Sequence, residues 1–517
     1  MSKILEQGDS LREKISNGVN TLADYVSATL GPKGQNVLLK DKEGNPVITK
    51  DGVTVARFLS LTDPVENAGA DVVKQASSKT NSDAGDGTTT STVLTRAIFN
   101  TASRHIKSGA SPIEVKRSIE DSLGKVLNAL TEVAKPISSE DDVAHVATIS
   151  ANNDDSIGNL IATAVDKVGK NGSITVEEAK SIETSLDLVE GFRFDSGYAA
   201  GAFVTDQRRK VVKYENPMFL ITDEKLETVD QILPALEIVA RENKPLVIVS
   251  EDIEGQALAA LIMNTVRGTM KVAAVKGPRY GEERRSIMND LSIATGAKYF
   301  RRSEGHDLSE VNLLDFGTSR SVEITKNSTT VVDGMGDFSK VEQKIEDIKE
   351  EIKSADTLQE AERLQERVTR LSSGIAIIKV GAATEIEMTE KKHRIEDALE
   401  AVRSAQQEGI VPGGGITLYN LSKKLDDSSV GSAILKESLQ EPIKIMAKNA
   451  GMVPEVCFMK LETTKEFSEG INFANGEMVN LISEGILDPA KVTRCALQNA
   501  VSVAGTLIMT SNAIIET

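Results

Sequence analysis

The chain has 517 residues, enough for several domains, and its 77 acidic against 60 basic side chains leave a net charge of −17. That balance argues against a nucleic-acid backbone as partner, and the lack of Trp, with only 3% aromatic residues, leaves little capacity for base stacking. Two cysteines without a CxxC pair, Cys457 and Cys495, fit a reducing compartment and no structural metal, with a single disulfide left open. No run reaches the ~18 apolar residues of a membrane span, and the first 18 residues are charged without an apolar signal core. A cytoplasmic protein with no membrane and no nucleic-acid partner is expected.

Ser10 and Glu13 form a capping-box pattern ahead of Leu11, Ile15, Val19, Leu22, Val26 and Leu30. The three- and four-residue spacing predicts an amphipathic helix, stopped by Gly31-Pro32. Val37-Leu38-Leu39 and Val47-Ile48-Thr49, with Glu43-Gly44-Asn45-Pro46 between them, read as a hairpin that delivers Lys50 and Asp51. Next comes Ala84-Gly85-Asp86-Gly87-Thr88-Thr89-Thr90, followed by Val93, Leu94, Ala97 and Ile98 at helical spacing. This is a glycine loop opening a helix. Its amides and dipole suit a phosphate, and Asp86 makes sense as a holder of a divalent cation that also takes phosphate oxygens. A plain polar N-cap fits the same residues.

After Pro136, Ile149-Ser150-Ala151-Asn152 and Asp154 precede a short helix, and Asn171-Gly172 signals a turn into the strand Ile174-Thr175-Val176. Leu246–Val249, a helix from Glu254 to Arg267 and Val272–Val275 predict a βαβ unit. Val341, Ile345, Ile348 and Ile352, then Ala361, Leu364, Val368 and Leu371, line an antiparallel helix pair. Ile375–Val380 reads as a strand, and a helix from about Glu390 to Gln407 carries Asp397. Gly413-Gly414-Gly415 is followed by helices to the C-terminus. His105, His145, His306 and His393 are scattered without ligand spacing.

Thr29-Leu30-Gly31-Pro32-Lys33-Gly34, Lys50-Asp51-Gly52-Val53 and the Gly85–Thr90 loop together resemble the nucleotide site of the group I chaperonins. Gly381–Glu385, Arg394–Leu399, Gly413–Gly415 and Gly485-Ile486-Leu487-Asp488-Pro489 resemble the same family in the same order, over nearly the whole chain. The resemblance implies a multi-domain α and α/β fold. A helical equatorial ATP-binding domain would span 1–132 and 408–517, a small α+β intermediate hinge domain 133–189 and 376–407, and an α/β apical client-binding domain 190–375.

It also implies a chaperonin ATPase: a homo-oligomeric ring, heptameric and single or double, that binds non-native polypeptides and is driven by ATP with Mg2+. It admits K+ and a co-chaperonin lid. Asp86 would hold the metal, with Gly87, Thr88, Thr89 and Thr90 at the phosphates. Thr29, Leu30, Gly31, Pro32 and Lys50 would cradle the nucleotide. Asp51 and Asp397 would position or activate water, Asp397 from a different domain. Gly414 and Asp488 would hold the nucleoside, and Asn472, Phe473 and Ala474 lie where the base is met, Phe473 replacing a usual alanine. No G-x-x-x-x-G-K-[ST] motif occurs, so a P-loop enzyme is excluded. Clients would meet Tyr198, Phe203, Leu233, Leu236, Leu258, Ile262 and Met263.

Some positions depart from the family. Ser196 replaces an arginine that pairs between subunits, Ser82 an acid, Ala202 an aromatic, and the C-terminus at Thr517 has no Gly-Met tail. Asp154 and Arg394, a family pair, are both kept. Val453 replaces an acid of the ring–ring contact, whose basic partner becomes Lys444, and Glu455 adds a negative charge; a weak contact between rings is expected. The competing classes are another ATP-using enzyme, for which no further small-molecule constellation is visible, and a ring that binds without turnover, which the survival of Asp51, Asp86 and Asp397 disfavours.

Overall fold

The computed structural model describes residues 3–40, 46–169, 173–179, 181–353, 358–372, 374–426, 428–464 and 466–516. The hairpin loop Glu43–Asn45, the turn Asn171-Gly172 and the final Thr517 lie outside the described residues. The chain divides into two compact units: residues 1–166, 178–184 and 380–517, and residues 167–177 and 185–379. The first gathers the expected equatorial segments and most of the expected intermediate ones. The second includes the stretch 190–375 together with 167–177, 185–189 and 376–379.

In the first unit the helices Gly8–Ser27, Pro64–Ala84, Thr88–Lys107, Pro112–Val133 and Ala490–Ile508 pack on one another. Each presents an apolar stripe at three- and four-residue spacing: Leu11, Ile15, Val19, Leu22 and Val26 in the first, Leu497, Ala500, Val501 and Ala504 in the last. The first helix starts earlier than the expected capping box. The strand Lys3–Gln7, antiparallel to Asn512–Glu516, runs straight into it. Gln7 is the cap residue, and the Ser10 hydroxyl donates to Glu6 (3.1 Å) instead of capping. The helix ends at Ser27, so Leu30 is free of it. Val37–Lys40 and Pro46–Thr49 pair as the expected hairpin.

The C-terminal part is less helical than expected. Ile410–Pro412 pairs antiparallel with Leu487–Pro489, and Glu469–Asn472 with Glu477–Asn480. Both pairs are short and carry Gly, Asn or Pro, which weakens any strand signal in sequence.

The second unit is built on a ten-stranded sheet. Its parallel part runs Met218–Thr222, Leu246–Ser250, Val272–Lys276, mainly apolar and buried up to the exposed Lys276, with the helices Val229–Glu242 and Gly255–Val266 as crossovers. This is the predicted βαβ unit, extended by one strand. The antiparallel part adds Gly317–Ile324, Thr329–Gly334, Ser185–Phe194 and Gly374–Val380. The long helix pair, Phe338–Lys353 and Leu358–Ser372, buries Ile348, Val368 and Leu371 in this unit's core. Arg367 donates twice to the buried Asp290 carboxylate, at 2.9 Å each, and anchors the pair to the helix Gly281–Thr295.

Candidate functional site

The site is assembled within the first unit from segments far apart in the chain. Gly85 ends the helix Pro64–Ala84 at φ 73°, and Gly87 caps the helix Thr88–Lys107 at φ 88°. Both conformations favour glycine, and a Cβ would sit 2.2 Å from Cβ of Glu400 or 2.7 Å from Val492. Asp86 is thereby held between two turns, beside a helix N-terminus whose first amides lack intrahelical acceptors. Its carboxylate accepts from the Gly87 amide and from the Ser150 hydroxyl, the latter at 2.9 Å.

Asp51 arrives from the hairpin as the N-cap of the helix Gly52–Phe58. It accepts from the Val53 amide (3.0 Å), the Thr54 amide (3.1 Å) and the Thr54 hydroxyl (2.6 Å). Thr29 leaves the first helix with its hydroxyl donating to Val26 O and lies 3.4 Å from the Thr89 hydroxyl. Asp488 comes from the strand Leu487–Pro489, next to Gly413, where a Cβ would stand 3.0 Å from its Oδ1.

These segments line one cavity of about 890 Å³, within the range of small-molecule sites. Among its lining residues are Thr29, Leu30, Gly31, Pro32, Lys50, Asp51, Asp86 to Thr90, Asp397, Gly414, Asn472, Phe473, Ala474 and Asp488. Every expected catalytic, metal and nucleotide residue thus meets at one place. Asp397, on the helix Glu385–Glu408, lies in the same compact unit as Asp86 and already faces this cavity. Phe473 keeps little exposed surface: its ring packs with Cys457, Leu461 and Leu481.

Other lining residues went unassigned in the sequence. Ser150, within the helix Glu140–Ser150, holds Asp86. His145 and His393, read as scattered, both border the cavity. The expected pair of Arg394 with Asp154 forms at 3.2 Å, and Arg394, which lines the cavity, also bridges Glu390 at 2.8 Å. No group of three or more metal-ligating side chains occurs among the described residues.

The electrostatics are those of a site short of positive charge. Asp86 is deep among protein atoms yet keeps a face toward the cavity. Burial pushes its carboxyl up, against the Gly87 and Ser150 hydrogen bonds, and the Asp51 charge adds to the rise. Burial, then the Asp86 charge, pushes Asp488 up to about 7. Lys50 is pushed down by burial and by Arg394. Carboxylates crowded with little cationic compensation fit a divalent ion bound through Asp86 together with phosphate oxygens.

A pH dependence follows for the ligand-free protein. The folded state keeps a proton on Asp488 up to about pH 7, whereas the unfolded chain releases it near pH ~4. Stability from this group is full below the unfolded pKa and is lost as pH rises through the folded one. Asp488→Asn therefore raises stability by on the order of 1–3 kcal/mol at pH 8 and by progressively less toward pH 5. Denaturant unfolding across that range measures it; a gain that does not change with pH refutes the desolvated carboxyl.

The expected client residues lie in the second unit. Leu233 (44% exposed) and Met263 (53%) point to solvent, and Tyr198, Leu258 and Ile262 are half-buried. Phe203 and Leu236 are not on this surface: both pack in the core with Ile232, Val239 and Leu261. The exposed face gains Val266 (70%), which the sequence reading passed over.

The model of the TCP-1/cpn60 chaperonin family matches residues 22–517. Two crystal forms of the chaperonin gp146 from bacteriophage EL 2 (Pseudomonas aeruginosa), both in the presence of ATP-BeFx, are similar in fold. Crystal form II is 22% identical with a TM-score of 0.67, and 99% of each chain is covered. Crystal form I is 21% identical with a TM-score of 0.61, over 99% of each chain. No described helix is long and apolar enough to cross a membrane.

Proposed function

Since the chain belongs to the TCP-1/cpn60 chaperonin family, we propose that it is an ATPase that captures non-native polypeptides and releases them to fold within a homo-oligomeric, heptameric ring. One observation carries the reading: Asp51, Asp86 and Asp397 line the same cavity as the Gly87-capped helix N-terminus. Phosphoryl transfer to water needs stabilised phosphate charge and a placed water, and little else from the protein.

The first-turn amides and hydroxyls of Thr88, Thr89 and Thr90 receive phosphate oxygens. Asp86 holds Mg2+, oriented by Ser150, and the bound ion supplies charge neutralisation at the phosphates. Asp397 takes the proton of the attacking water, and Asp51 orients it. Thr29 to Pro32 and Lys50 flank the phosphates, Asp488 and Gly414 the ribose, and Asn472 to Ala474 the base. The three-domain division, with residues 133–189 and 376–407 as a hinge, belongs to the same reading. So does a cytoplasmic setting, with K+ and a co-chaperonin lid as optional additions.

Capture falls to the face of Leu233, Leu258, Ile262, Met263 and Val266. The ring–ring contact is weak in this reading: Val453 is 58% exposed where the family has an acid, and Lys444 pairs with Glu441 on its own helix at 3.5 Å.

The test is ATP turnover by the intact chain with and without Mg2+, alongside Asp86→Ala, with negative-stain microscopy in ATP and ADP to read ring number. Metal-dependent turnover that falls at least about 100-fold in the variant is expected. A folded parent chain that neither binds nor hydrolyses ATP overturns the reading.

A further inference from the structure

The loop from Thr29 to Pro32 has no regular structure of its own, yet it forms one wall of the cavity. It follows the C-terminus of the helix Gly8–Ser27, where the last carbonyls lack intrahelical donors. Two of the oxygens here, Ser27 O and Leu30 O, receive the side-chain amide of Asn449 at 3.0 and 2.9 Å, and Ser27 O also accepts the Leu30 amide at 3.1 Å. Asn449 is the last residue of the helix Glu441–Asn449, more than 400 residues away in sequence. One turn earlier, Met446 meets the same loop. A Cβ on Gly31, which stands at φ 82°, would lie 2.8 Å from Met446 Cγ. Leu30 itself packs against the cluster that contains Met446. One helix thus clamps the loop at successive points: carbonyls by Asn449, backbone by Met446.

We propose that Asn449 is a positioning residue for nucleotide binding, setting the conformation of the Thr29–Pro32 wall without touching the nucleotide. The inference rests on the nucleotide reading of the cavity. The amide ties the helix end to Leu30 O, so its loss loosens the wall at Leu30, while the turn bonds from the Leu30 amide to Ser27 O and from the Gln35 amide to Ala28 O, and the helical core built on Leu11 to Val26, stay in place. The consequence is selective: weaker nucleotide affinity with little change in the chemical step, because Asp51, Asp86 and Asp397 are carried by other segments.

Asn449→Asp is the sharpest variant. It keeps the shape and replaces two donors with a carboxylate facing two carbonyl oxygens. Binding of Mg-ADP to the intact chain by calorimetry, and turnover at saturating ATP, are the two readouts. The expected result is a Kd raised by about tenfold or more, from the loss of two hydrogen bonds, with kcat within about threefold. Asn449→Ala should weaken binding less. An unchanged Kd, or a fall in kcat at unchanged Kd, overturns the proposal.

If Asn449→Asp does not fold, hydrogen exchange in the parent chain decides. ADP should slow exchange at residues 28–35 and at 446–452 together; protection confined to the first stretch overturns the clamp. A parent chain that binds no Mg-ADP removes the nucleotide reading itself, and with it this inference. A parent that binds while Asn449→Asp matches it removes the inference alone.

Discussion

Asp397→Ala binds Mg-ATP within about threefold of the parent chain and hydrolyses it about 10²–10⁴-fold more slowly, the range of a lost general base. The carboxylates in the cavity are not equivalent. Asp86 is tied to the Gly87 amide and the Ser150 hydroxyl and is the one crowded by Asp51. Asp51 has both oxygens engaged as a helix cap. Asp397 sits mid-helix on Glu385–Glu408, where no cap depends on it. Its removal leaves the Asp51 cap and the Gly87-capped helix N-terminus in place, so the expected loss falls on the chemical step. Asp51→Ala mixes two losses, since an N-cap deletion alone costs about 0.5–2 kcal/mol. Binding and phosphate release measured separately resolve these cases. Asp397→Ala with parental turnover would show that the water is activated elsewhere, with Asp51 the next carboxylate to test.

How much of this was legible beforehand depended on whether the signal was local. The Gly85-Asp86-Gly87 loop was readable because two left-handed backbone positions leave few choices but glycine. The hairpin before Lys50 and Asp51, and the βαβ unit, were readable because apolar runs and turn residues alternate along the chain. The Ser10 cap was misread: its pattern is a good local signal, but the strand Lys3–Gln7 pairs with the far end of the chain and carries the helix start to Gly8. Long-range pairing of this kind leaves no mark near Ser10.

Ser150 and Asn449 went unassigned for the same reason, since their partners are distant in sequence. Phe203 and Leu236 differ. In the helix Val229–Glu242, Ile232, Ala235, Leu236 and Val239 follow the buried spacing and Leu233 falls off it. That periodicity was present in the sequence and would have placed Leu236 in the core.

The double variant Leu233→Glu with Met263→Glu loses capture of a denatured client by at least about tenfold, with ATP turnover within about twofold of the parent chain. Each glutamate puts a charge where a client's apolar segment must dock, and burying an unpaired charge costs several kcal/mol unless it stays hydrated. The choice of positions matters. Leu233 and Met263 are already in water, so the substitutions barely touch the fold. Ile262 is half-buried against the core and is a poorer probe, because a glutamate there strains packing as well. Phe203→Ala opens a cavity in the core and costs about 3–5 kcal/mol of stability, so a loss of capture in that variant would say nothing about the surface.

The helix Gly255–Val266 supplies the reason to expect an effect this large. It has no charged residue along its length, buries only Ala257 and Leu261, and leaves Ala259, Met263 and Val266 facing solvent at helical spacing. A face that apolar has no structural use within its own unit, and a charged residue at any of these positions would have been cheap. If a soluble, folded Leu233→Glu/Met263→Glu chain holds denatured client as tightly as the parent, capture belongs to another surface. Val266→Glu, the most exposed position of the three, should weaken capture in the same direction.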